Sequence, residues 1–324
     1  MSRAKIRGSS LAWRFAGLLA GTLFAVSPAN AGQGLSQISL LHTATPGDQG
    51  NIVLDWTYLD HPLLNGNPEA VILVTHNISG GNVVYNENEI GVWYDTLGKQ
   101  QWTIFHLNGS AMIENATFNV LVLQHDDADV FVHTSFLVNI DGNSTYLSHP
   151  QINGNPEALV FVTHNRNPSG VIPGVINDHV IGVYYDPFLA GGRWAIFNQD
   201  LAAMPENASF NVLVVDPMAD NAFSTLAQPN MIVPELTGLD HPTTNDQPGA
   251  MLLLTQSWNP QGGLGVYNDE VVGVGYDILE GAWFIINESK NNMPDEAGFN
   301  VLSAPFFADG FESDDVSWWS STVP

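Results

Sequence analysis

The chain has 324 residues, a formal net charge of −25, 44% hydrophobic residues and no cysteine. That composition excludes disulfide staples, cysteine-ligated zinc and thiol catalysis, and it calls for domains large enough to be held by packing alone. Eight Lys and Arg stand against 33 Asp and Glu, which argues against nucleic acid and anionic lipid as partners, because both require cations set against phosphates.

In chain order, residues 1–31 read as an export signal. Arg3, Lys5, Arg7 and Arg14 form a basic start, Phe15 to Val26 a short apolar core, and Ala29-Asn30-Ala31 a small-x-small cleavage site. That core is too short to cross a bilayer. Cleavage there removes four bases and no acids, leaving four bases against 33 acids and a net charge of −29. No later apolar run reaches the length of a membrane helix. The expected location is therefore secreted or cell-surface associated, with no transmembrane segment in the mature chain.

The remainder consists of three copies of one unit. His-Pro recurs at His61, His149 and His241, and Phe-Asn-Val-Leu begins at Phe118, Phe210 and Phe299, a period of about 90 residues. His42-Thr43 with Thr57-Tyr58-Leu59 matches His133-Thr134 with Thr145-Tyr146-Leu147, of which the third copy keeps Thr225 and Leu239. The units run over 36–128, 129–220 and 221–305, and a tail occupies 306–324. A period of domain size predicts separate beads rather than a continuous solenoid.

Comparison of the copies separates buried from free positions. In GVWYD, GVYYD and GVGYD, Val92, Val183 and Val274 are fixed, as are Tyr94, Tyr185 and Tyr276, while Trp93, Tyr184 and Gly275 vary between them. Alternation of this kind marks a strand whose variable position points outward. Trp102, Trp194 and Trp283, with Ile104, Ile196 and Ile285, repeat the pattern around Thr103, Ala195 and Phe284. Ala158 to Val162 and Phe210 to Val215 are apolar on both faces and read as central strands. Gly and Asn/Asp clusters supply the turns, and no stretch has a helical period. The predicted fold class is all-β: three tandem β-sandwich or small-barrel domains, each of six or seven short strands.

The string TQSWNP…YNDEVVGVGYD…W.I.N…MP…FNVL, with the His-Pro-x-x-Asn segment before it, resembles a family of domains of unknown function found in tandem in secreted bacterial proteins. The resemblance covers all three copies. It implies an extracellular module and brings no established activity or catalytic residues. Copy one departs in its loop HNISGGN, and copy three in its N-terminal strands. The final FFADGFESDDVSWWSSTVP resembles a DGFES…W tail at the end of unrelated exported bacterial proteins, which implies sorting or surface retention. Ala308-Asp309 also repeats the spacing of Ala219-Asp220, so the tail equally reads as the start of a truncated fourth unit.

Catalytic candidates are few. Asp95, Asp186 and Asp277 end a strand and read as turn caps rather than cleft carboxylates. Glu69 and Glu157 are answered by Gly249 in copy three, so a carboxylate pair is not a property of the repeat. His76 and His164 become Gln256, and His106 becomes Asn198 and Asn287. No spacing typical of a metal site occurs. The loops His125-Asp126-Asp127-Ala128-Asp129 and Asn139-Ile140-Asp141-Gly142-Asn143 are rich in oxygen ligands but lack EF-hand spacing. No cofactor is expected, with Ca²⁺ a weak exception.

What varies on a fixed frame is the loop from Thr75 to Asn86, Thr163 to Asn177 and Thr255 to Asn268, where specificity is commonly carried. The expected ligand residues are His76, Asn77, His164, Asn165, Arg166, Asn167, Trp258 and Asn259, with Trp258 stacking on a sugar and Asn259 bonding its hydroxyls. The expected function is an exported, non-catalytic protein of three binding or adhesion modules for an extracellular glycan or surface matrix. The alternatives are a secreted hydrolase acting on polysaccharide or peptide, with Asp186 and Glu157 as first suspects, and a structural cell-surface or biofilm component.

Overall fold

The computed structural model describes residues 38–79, 83–123, 127–189, 191–229 and 231–304. Residues 1–37, where the export signal is expected, the whole 306–324 tail and the start of the first oxygen-rich loop lie outside the described residues. Repeat one contains β1 (Ile38–Thr43), β2 (Ile52–Val53), β3 (Trp56–Tyr58), β4 (Val71–His76), β5 (Ile90–Tyr94), β6 (Trp102–His106) and β7 (Thr117–Leu123). Repeat two contains β8 (Val130–Thr134), β9 (Ile140–Asp141), β10 (Ser144–Tyr146), β11 (Leu159–Asn165), β12 (Ile181–Asp186), β13 (Arg193–Asn198) and β14 (Ser209–Val215). Repeat three contains β15 (Ala222–Leu226), β16 (Leu236–Gly238), β17 (Met251–Gln256), β18 (Val272–Asp277), β19 (Ala282–Asn287) and β20 (Gly298–Ala304).

Each repeat is a two-layer sandwich. One layer has three antiparallel strands in the order β1-β7-β4, β8-β14-β11 or β15-β20-β17; the other is β2-β3-β6-β5, β9-β10-β13-β12 or β16-β19-β18. The alternation predicted for the GV.YD strand holds in β5 and β12, where Val92 and Tyr94 and their equivalents Val183 and Tyr185 are buried between the layers. In β18 Val274 is buried likewise, but Gly275 is covered too and Tyr276 is half-buried. The fixed tryptophans do more than fill space. The indole N–H of Trp102 donates to the carbonyl of Asn67, that of Trp194 to Asn155 and that of Trp283 to Gln247, each at 2.8 Å. One side chain thus packs the core and pins the turn opposite.

The repeats are not separate beads. The second face of the three-stranded layers, where Val71, Leu73, Phe161, Leu213, Leu253 and Leu302 lie, forms a fourth core shared by all three repeats. This explains why β4, β11, β17 and their partners are apolar on both faces: one face fills its own sandwich and the other fills the centre of a ring. β4, β11 and β17 lie at the edge of their own three-stranded layers, where backbone groups would otherwise be left unpaired along most of their length. Here the N–H of Val74 donates to Thr163 Oγ1, that of Val162 to Thr255 Oγ1 and that of Leu254 to Thr75 Oγ1, at 2.9–3.0 Å. The Asn of the Phe-Asn-Val motif closes the same circle: Asn119 donates to the Leu252 carbonyl, Asn211 to Ile72 and Asn300 to Val160. Each set runs once around and returns to its start, so the chain is a closed ring of three with pseudo-threefold order. The length of the period misleads about independence because it says nothing about which face of a sheet meets water.

Candidate functional site

The first residues of the variable loops pack against the neighbouring repeat, whereas Val171, Ile172 and Leu264 further along them are exposed. The end of β11 runs parallel to β5, pairing His164 with Gly91 and Asn165 with Val92, and single bridges join Asn77 to Val274 and Ser257 to Val183. At the next residue, the N–H of Ile78 donates to the Val274 carbonyl, that of Arg166 to Val92 and that of Trp258 to Val183. Asn167 then bonds both the N–H and the carbonyl of Tyr94 through its amide, and Asn259 does the same to Tyr185, all at 2.8 Å. Asn77 and Asn165 donate to Asn119 and Asn211. Of the eight expected ligand residues, His76, Asn77, His164, Asn165, Asn167 and Asn259 are buried, and only Arg166 and Trp258 keep part of their surface. The amides of Asn167 and Asn259 hold repeats together, so hydrogen bonding to a sugar is not what occupies them.

The positions that look free in the repeat comparison are matched across these junctions. Trp93 receives the guanidinium of Arg166 at 5.8 Å from its ring centre. Tyr184 meets Trp258 edge to face at 6.2 Å. Gly275 leaves room for Ile78 and for Phe284, its own cross-strand neighbour. Volumes also balance across the strand pair, Trp93 opposite Thr103, Tyr184 opposite Ala195 and Gly275 opposite Phe284.

A second set of partners lies deeper. His76 Nδ1 is 2.5 Å from Glu288 Oε1, and Glu288 Oε2 accepts the N–H of Asn86. At the equivalent junction Gln199 donates to Gln256 and accepts from the N–H of Asn268. At the third, Leu107 offers no acceptor, and the N–H of Asn177 donates to His164 Nε2 instead. The glycine of the GV.YD strand is fixed because these side chains lie upon it: a Cβ at Gly91, Gly182 or Gly273 would meet Leu107, Gln199 or Glu288 at under 3 Å.

Burial drives His42 and His133 down to about 4 and His164 to about 3. All three are neutral in the folded chain, whereas the unfolded chain takes up their protons near 6.5. Stability is therefore full above that value and falls as pH drops from 6.5 toward 4, by at most ~3 kcal/mol per histidine. Denaturant midpoints at successive pH values check this; a flat profile across that window contradicts it.

The carboxylates behave as turn caps. Asp95 accepts from the N–H groups of Gly98 and Lys99 and from the Tyr58 hydroxyl, and Asp186 accepts from Phe188, Leu189 and the Tyr146 hydroxyl. Glu157 lines an outer groove with Phe223 and His241, and Asp186 is not part of that groove. In the second oxygen-rich loop, Asn139 spends its amide on Phe136, Thr134 and Thr145. No group of three or more His, Asp or Glu among the described residues is placed to hold a metal ion, and no helix among them is long and apolar enough to cross a membrane.

Two kinds of surface remain open. On the outer sheet of repeat one, Trp56 and Trp93 pack edge to face at 5.5 Å beside Arg166. On that of repeat two, Tyr184 meets Tyr146 and Trp258, and Trp258 meets Tyr267, with ring centres 5.6–6.5 Å apart. All are partly or largely exposed. Burial first, then Tyr184 and Asp186, push the Tyr146 phenol up, keeping it a donor. Repeat three has Gly275 at the position of Trp93 and Tyr184 and Gly238 at that of Tyr146, both opposite the buried Phe284. The other open feature is a pit on the ring axis, lined by Glu89, Val180 and Val271 together with His76, His164 and Gln256. Sequence comparison passed over Glu89, although its sister positions are Val180 and Val271, and it passed over the aromatic pairs because their members lie on different strands.

No curated protein and no solved structure matches the chain. The profile of a family described as a domain of unknown function, DUF7452, matches three times in tandem, over residues 20–122, 96–214 and 188–303. The chain is thus a member of the DUF7452 family, built from three successive copies of its domain.

Proposed function

We propose that this is an exported, non-catalytic binding protein that holds an extracellular glycan or surface matrix on the aromatic clusters of its first two repeats. The observation that carries the reading is the pair of half-exposed clusters, Trp56 with Trp93 and Arg166, and Tyr146 with Tyr184, Trp258 and Tyr267. Aromatic rings offer an apolar face to the C–H side of a sugar, while phenol and guanidinium groups at the edge supply hydrogen bonds. Residues 1–31 direct export, and binding calls for no cofactor. The ring holds the two clusters at a fixed separation, so a multivalent ligand gains from effective concentration with no linker entropy to overcome.

A glycan array probed with the intact mature chain tests this. Trp93→Ala and Tyr184→Ala are each expected to weaken retention on a polymeric glycan by about tenfold, and the double variant to abolish it. Absence of glycan retention by the parent, or retention unchanged in the double variant, overturns the reading.

A further inference from the structure

The axial pit differs from the aromatic faces in place and in chemistry. Its walls are two aliphatic rings drawn from all three repeats, Val74, Val162 and Leu254, and Ile90, Ile181 and Val272. At a third level the pattern breaks. Val180 and Val271 are joined by Glu89, a carboxyl group where the two sister repeats show that an isopropyl group suffices. No hydrogen bond to the Glu89 carboxyl comes from the described residues; the residue is half-buried at the open side of the pit, and its aliphatic surroundings, reinforced by Asp178, push it up to about 8. A half-buried carboxylate with aliphatic neighbours and no protein partner is poorly solvated, so a counter-charge that arrives there is favoured.

Two further observations indicate what that counter-charge is. His76 is 2% exposed and lines the pit; its Nδ1 edge faces Glu288, which is not a wall of the pit, and its Nε2 has no partner among the described residues. With Nδ1–H donated to Glu288, Nε2 presents a lone pair, an acceptor for an incoming N–H. The segments leading to the pit are acidic in every copy: Glu87, Asp178 and Asp269 follow the fixed Asn86, Asn177 and Asn268, and all three carboxylates are exposed. Among the described residues no Lys or Arg lines the pit. The pit holds about 70 Å³, against 10–15 Å³ needed for a single water, which suits a ligand of several heavy atoms.

We infer that the axial pit is a binding site for an alkylammonium group, with Glu89 as its counter-ion, His76 Nε2 as a second acceptor and the two aliphatic rings around its carbon chain. The group arrives either as a free small amine or as a lysine side chain of another polypeptide. The acidic mouth concentrates cations of either source.

Titration calorimetry of the intact mature chain at pH 9 with n-butylamine hydrochloride, against sodium butyrate at matched ionic strength, tests the assignment. Saturable binding of the amine and none of butyrate is expected. Glu89→Val, which copies the sister repeats, is expected to fold at least as stably as the parent and to lose about tenfold or more in affinity, the scale of one charge-assisted hydrogen bond. Glu89→Gln serves the same purpose should the valine variant fail to fold, and Asp48→Asn, a remote surface change, is expected to bind as the parent does. An arm with N-acetyl-lysine amide separates the sources: binding of both probes indicates a pit that accepts a lysine on a chain, and binding of butylamine alone indicates a site for free amines. Equal affinity of the parent and the Glu89 variants, equal binding of butyrate, or no saturable amine binding overturns the inference.

Discussion

His76→Leu is expected to destabilise the ring by about 3–5 kcal/mol, the cost of leaving a buried charge without its partner. Glu288 is fully buried, and among the described residues His76 is the one basic side chain bonded to it. The reverse change is expected to be much milder. Glu288→Leu converts this junction to the form already present between repeats one and two, where His164 stands beside Leu107 and takes the N–H of Asn177 on Nε2. Changing both residues to Gln reproduces the Gln256–Gln199 junction and is expected to restore most of the loss. Denaturant midpoints for the parent, His76→Leu, Glu288→Leu and the variant combining those two leucine changes form a cycle with a coupling well above the additive error of ~0.5 kcal/mol, and the double Gln chain is compared with the parent separately. Equal costs for His76→Leu and Glu288→Leu would show that the junction partners are not specific to each other.

Residues 129–220 expressed alone are expected not to form a stable monomer. Leu159, Phe161 and Leu213 from this repeat face the shared core and are each under 5% exposed in the ring. At about 1.5–3 kcal/mol for each side chain returned to water, the loss is comparable to the 5–15 kcal/mol that holds an ordinary domain together. The β11 edge also loses the Thr255 hydroxyl that satisfies the Val162 N–H. Circular dichroism with light scattering is expected to show a disordered or self-associated fragment. A monomer with a cooperative unfolding transition would falsify the shared core as a condition of stability. Binding experiments therefore belong on the intact chain, because an isolated repeat lacks its junction partners.

Much of the fold was legible because internal repetition works as an experiment within one chain. Val92 and Tyr94 stay while Trp93 changes, and that contrast alone places Trp93 on the outer face. At Thr103, Ala195 and Phe284 the same contrast misleads, because all three are buried beneath or beside their cross-strand partners. The candidate site was less legible for the same reason. Variation at Trp93, Tyr184 and Gly275, and at Ile78, Arg166 and Trp258, looks like drift or ligand choice when the copies are aligned. In space each of these residues has a partner from another repeat, so the variation is paired fitting at three unlike junctions. His76, His164 and Gln256 look like interchangeable polar turn residues until Glu288, Leu107 and Gln199 are seen beside them.

The sequence by itself determined an all-β chain of three like units, the inward side of each sandwich strand, the capping role of Asp95 and Asp186, and the acidic balance that leaves only four bases after residue 31. These follow from side-chain period, turn chemistry and composition, which are local. Only the tertiary structure decided that the units close into a ring, that the second apolar face of β4, β11 and β17 is a shared core, and that Glu89 and His76 meet in one pit on the axis. Those outcomes depend on contacts between residues about 90 or more positions apart, and a strand apolar on both faces carries no mark of which neighbour covers the second one.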